Sequence, residues 1–142
     1  MPGIRLHPNY HGYGFDAPDF LKLLKEAAAR GLLVQVAVRL DDERTQHPLV
    51  RVPPLDPAPL AALAGPGLRL MILNSSAPPA GLPFDIATIE RAGGLARLGV
   101  ERACFGSFAP FFILESALLK LKESAVDAKG LDANAARLLA GR

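Results

Sequence analysis

The chain has 142 residues, half of them hydrophobic, a single cysteine at position 104 and a formal net charge of +2. Such a composition supports one folded domain, 1–142, and argues against disorder, while its mixed-sign, dispersed charges lack the basic run that nucleic acid or an anionic membrane selects. A lone thiol excludes an internal disulfide and a thiolate cluster and fits a reducing, cytoplasmic setting; no stretch approaches the roughly 20 apolar residues of a membrane span, and no signal-peptide pattern opens the chain.

Residues 3–7, GIRLH, read as a short extended segment. A helix is predicted next, with Asp16 as N-cap, Pro18 in the first turn, Leu21, Leu24 and Ala28 on one face and Gly31 as the stop. LLVQVAVRL, residues 32–40, is Val-rich and almost continuously apolar, the mark of a strand buried on both faces. PLDPAPLAALAG predicts a short helix and LRLMILN another buried strand, followed by the Pro-rich loop SSAPPAGLP. FDIATIE is a weaker strand, RAGGLARLG a short helix or turn, and RACFGSF a last strand. The helix FFILESALLKLKES is expected to bury its apolar stripe and wet Lys120, Lys122 and Glu123, and LDANAARLLAG closes the series. Alternation of this kind implies a parallel sheet with right-handed crossovers, whose ligands bind beyond the carboxyl ends of the strands.

Side chains alternate along a strand, so Arg5 and His7 face away from Ile4 and Leu6, and Gln35 and Arg39 away from the valines. With Asn74 at the end of the third strand, these groups would form a cationic, hydrogen-bonding pocket for a carboxylate or phosphate. The alternative is structural: Arg5 and Gln35 fill the sheet interior, and Arg39 pairs with Asp41 or Asp42. His7 and His47 are candidate acid–base groups. His11 is expected to be a turn residue, since Pro8, Asn9 and Gly12 argue against a helical pair with His7. Cys104, inside a buried strand, is expected to be an inert hydrophobe. No nucleophile elbow, dinucleotide fingerprint or P-loop is present.

The order GIRLHPN, LLVQVAV, LRLMILN, RACFGSFAPF and NAARLL resembles the C-terminal half of the amidohydrolase-related, metal-dependent hydrolases of TIM-barrel fold. The resemblance implies a partial (β/α) barrel of four to five parallel strands, corresponding to strands four to eight, and a hydrolase acting on a small, anionic substrate with a C–N bond or a carboxyl group. It also implies a divalent metal such as zinc, but the ligand positions are not matched: the sixth-strand His falls at Asn74, the fifth-strand His near Val38 or Arg39 and the eighth-strand Asp at Phe108. No residue is therefore assigned to a metal. Half a barrel has open edges, so either a preceding half or a second copy, as a homodimer, is expected to cover them. The alternative function is a non-catalytic half-barrel that binds or assembles.

Overall fold

The computed structural model describes residues 3–39, 46–87, 97–107, 109, 113–124 and 127–140. Its framework is a five-stranded sheet of β1 (Gly3–Leu6), β2 (Leu33–Ala37), β3 (Arg69–Leu73), β4 (Phe84–Asp85) and β5 (Ala103–Cys104), in sequential order. Every neighbouring pair is parallel. The helices are α1 (Pro8–His11), α2 (Pro18–Ala29), α3 (Pro59–Leu63), α4 (Leu114–Glu123) and α5 (Ala128–Ala140).

Register sorts the side chains into two faces. Leu6 stands beside Val36, Val36 beside Ile72, Ile72 beside Phe84 and Phe84 beside Ala103, giving one continuous apolar row. This row packs with Phe20, Leu24 and Ala27 of α2, Leu60 of α3 and Leu131 of α5 in the main core. Val34, Val36, Ile72, Phe84 and Leu60 are wholly buried, each contributing about 1.5–3 kcal/mol of transfer free energy. The opposite face carries Leu33, Ala37, Met71, Leu73 and Cys104, met by Ala135 and Leu138 of α5. Helix α5 is thus shared between the two faces. Its buried Asn134 donates to the main-chain oxygens of Val100 and Ala103 at 2.9 and 2.7 Å, fixing it against the end strand.

Several expectations need correction. Residues 8–11 do form a helical turn: Pro8 occupies the first helical position, where a missing N–H costs nothing, and Gly12 ends the turn with φ of 71°. Helix α2 begins after Ala17, which offers no side-chain cap, and buries Phe20, Leu24 and Ala27, leaving Leu21 exposed. Proline at its first position supplies the start that Asp16 was expected to give. In α4, Leu114, Leu118 and Leu119 are exposed, whereas Lys120 turns inward and donates to the oxygens of Ile86 and Ala87 at 3.0 and 2.8 Å. Main-chain carbonyls just past β4 thus take the ammonium, and the lysine stem snorkels over the core. The segment RAGGLARLG lies mostly outside the described residues.

Candidate functional site

The parallel strands direct alternate side chains of the second face toward their carboxyl ends. There a hollow of about 480 Å³ is lined by Arg5, His7, Gln35, Asp85 and the segment Phe105–Ser107, with Met71 and Leu73 beneath. Adjacent registers explain the convergence: Arg5 stands beside Gln35 and Gln35 beside Met71, while Asp85 stands beside Cys104.

Arg5 is held from behind. Its Nε donates to Gln35 Oε1 at 2.9 Å, and Gln35 Nε2 lies 3.9 Å from the Met71 sulfur. With Nε engaged, the two terminal nitrogens of the guanidinium remain as a planar fork, the geometry that matches a carboxylate. His7 follows the last residue of β1 and is half-buried. Burial, reinforced by the positive charge of Arg5 and by His11, holds its imidazole below the ordinary 6.5, so it is neutral at pH 7. Its Nδ1 is buried and makes no hydrogen bond among the described residues. The ring meets His11 edge to face at a centroid distance of 6.4 Å, and His11 stacks on Tyr13. His11 is exposed and ends α1, its N–H donating to the His7 carbonyl at 3.0 Å, in place of the non-helical turn expected from sequence.

Asp85 is the group that sequence reading missed. It is 4% exposed, yet it lines the hollow. Burial pushes its carboxyl up to about 6 from 3.8, against the opposing pull of main-chain N–H groups of Asn74 and Ala87 and the charges of Arg5 and Lys120. The Asn74 N–H reaches Oδ1 at 3.0 Å. An aspartate inside the otherwise apolar stretch LPFDIA was the one available signal, because a carboxyl buried there demands compensation or a purpose.

The other predicted residues are not brought into the hollow. Asn74 is 1% exposed and belongs to the framework: its Nδ2 donates to the Arg39 main-chain oxygen at 3.1 Å, tying β3 to the end of β2, and its φ is 56°. Asparagine tolerates this left-handed backbone better than most residues. Arg39 follows β2 and does not line the hollow; Asp41 and Asp42, its suggested partners, lie outside the described residues. His47 is exposed, and its Nδ1 accepts the Leu49 N–H at 3.2 Å within a local turn, away from the lining residues. Cys104 is buried, and burial raises its thiol to about 11, which matches the inert reading.

The divalent metal implied by the amidohydrolase resemblance finds no fitting donor set. Among the described residues no group of three or more His, Cys, Asp or Glu side chains stands together. Asn74, at the sixth-strand position, offers a neutral amide oxygen that is buried and has no hydrogen-bond partner among the described residues, but a single neutral oxygen does not make a metal site; Phe108 lies outside the described residues. No helix among the described residues is long and apolar enough to cross a membrane. Comparison with protein-family models, with curated proteins and with solved structures finds no match to this chain.

Proposed function

We propose that this chain is part of an amidohydrolase-like (β/α) barrel whose hollow binds a small carboxylate-bearing substrate, with Arg5 gripping the carboxylate and neutral His7 as acid–base group. Support for the barrel comes from strand order: a doubly wound sheet reverses its order at a switch point, whereas here the order is sequential. Helices α2 and α3 pack on one face; the other meets α5 through Ala135 and Leu138 and keeps a polar hollow at its strand ends. The outer strands β1 and β5 would then meet a preceding half-barrel or a second copy.

The observation that carries the functional reading is the Arg5–Gln35 pair: a guanidinium buttressed at Nε at the mouth of a hollow that also holds an uncharged imidazole. A hydrolytic step needs a base to take a proton from water and a cation to orient the acid substrate. The test is a panel of N-acyl amino acids and aryl carboxylates, assayed for amide cleavage and for carbon dioxide release. Turnover that vanishes in both Arg5→Gln and His7→Gln supports the proposal. Turnover indifferent to both, or none on any member, overturns its catalytic form.

The commitment of Asn74 to the framework favours a second reading, a binding module of the same architecture without hydrolysis. Saturable, Arg5-dependent binding without turnover would mark it.

A further inference from the structure

Resting on the hollow as a carboxylate site, we infer that Asp85 is its second ligand-binding group: a protonated carboxyl that donates a hydrogen bond to another oxygen of the ligand, which makes the ligand class small hydroxy- or oxo-acids.

Three observations lead there. Arg5 and Asp85 line the same hollow, yet no ion pair joins them among the described residues, so the guanidinium fork is not consumed by the one carboxyl that shares its space. Asp85 is also oriented. Oδ1 is held by the Asn74 N–H at 3.0 Å, while Oδ2 faces Gly106. A Cβ built on Gly106 would stand 2.7 Å from Asp85 Cβ and 3.0 Å from Oδ2, so only glycine lets the chain pass this close to the carboxyl, and that close packing holds Asp85 in its orientation at the hollow. Finally, a protonated carboxyl serves as a donor where an ionised one would repel an acid ligand; burial pushes Asp85 up to about 6, so it carries its proton below that pH, and a ligand that accepts its hydrogen bond extends the protonated range upward.

The charged and titratable groups around Asp85 are Arg5 and His7 from β1 and its end, Cys104 from β5 and Lys120 from α4. Lys120 places its ammonium on the Ile86 and Ala87 carbonyls, and Cys104 stays a thiol through the neutral range. Among these described groups around Asp85, His7 is therefore the competing source of pH dependence in the neutral range, and the experiment separates it.

The probes are lactate, which has a hydroxyl beside its carboxylate, and propionate, which lacks it. Their affinities are measured by NMR titration of the full chain at pH 5 and pH 8. The parent should bind lactate more tightly than propionate, and lose about tenfold or more of its lactate affinity at pH 8, as Asp85 ionises. Asp85→Asn keeps a donor without a proton to lose, so its lactate affinity should be equal at both pH values. Arg5→Gln should bind neither acid. If Arg5→Gln binds both like the parent, or the parent binds neither, the carboxylate site itself is overturned. If binding depends on Arg5 but lactate and propionate are equivalent, that site stands and the role of Asp85 falls. Dependence on pH that persists in Asp85→Asn locates the proton on His7 and likewise overturns the inference.

Discussion

The two faces of the sheet follow opposite rules. On the helix-covered face, Leu6, Val36, Ile72, Phe84 and Ala103 form a row in which every polar group belongs to the backbone ladder. On the other, Arg5, His7, Gln35 and Asp85 interrupt the apolar pattern around a hollow, with a buried carboxyl and a buried imidazole nitrogen that lack full compensation. The first face contributes stability; the second gives some of it up in exchange for groups aimed at a ligand, the usual signature of a site. Substitutions on the two faces should therefore move stability in opposite directions.

The largest effect is expected at Phe84, which is wholly buried at the centre of the covered face. Phe84→Ala should lower the unfolding free energy by about 3–5 kcal/mol, read from the shift in urea midpoint. Asp85, the next residue, should respond the other way. The unfolded carboxyl ionises from 3.8 but the folded one only near 6, so stability is lost as pH rises through that window. Asp85→Asn should accordingly gain on the order of 3 kcal/mol at pH 8 and almost nothing at pH 4. A loss of stability at pH 8 would mean that the charged carboxylate is welcome where it stands. His7 contributes with the opposite pH sense: its folded pKa lies below 6.5, so stability falls as pH drops through that value.

Asn74 sits between these extremes. Asn74→Ala removes the side-chain bond to Arg39 and puts a less tolerant residue at φ of 56°, so a loss of about 1–3 kcal/mol should appear in the same measurement. The smallest change in stability belongs to Gln35→Ala. Thermal unfolding should shift by no more than about 0.5 kcal/mol-equivalent, while lactate affinity drops several-fold because the Arg5 fork loses its brace. Intact affinity in that variant would mean that Gln35 does not position Arg5.

The parallel sheet and its covered face were legible in the sequence because unbroken Val, Ile and Leu runs separated by glycine and proline leave few alternatives to a parallel sheet. Arg5, His7 and Gln35 were legible through period-two alternation, and the hollow does collect all three. Alternation fails once a strand ends. Arg39, Asn74 and His47 lie past the regular ladder, where a bend, a left-handed residue and a local turn set their directions. Asp85 was hidden by the brevity of β4, two residues long, which gives no periodicity to read. Lys120 was assigned to the wet face because helical spacing cannot reveal that two carbonyls of another element wait beneath it.

The most direct measurement is the carbon-13 titration of the Asp85 carboxyl by NMR, with and without lactate. A midpoint near 6 that moves upward when lactate is added is expected, since a ligand that accepts the proton-bearing form must favour it. A midpoint at the ordinary 3.8, or one that lactate leaves in place, would contradict the assignment of Asp85 as a ligand-binding group of this face.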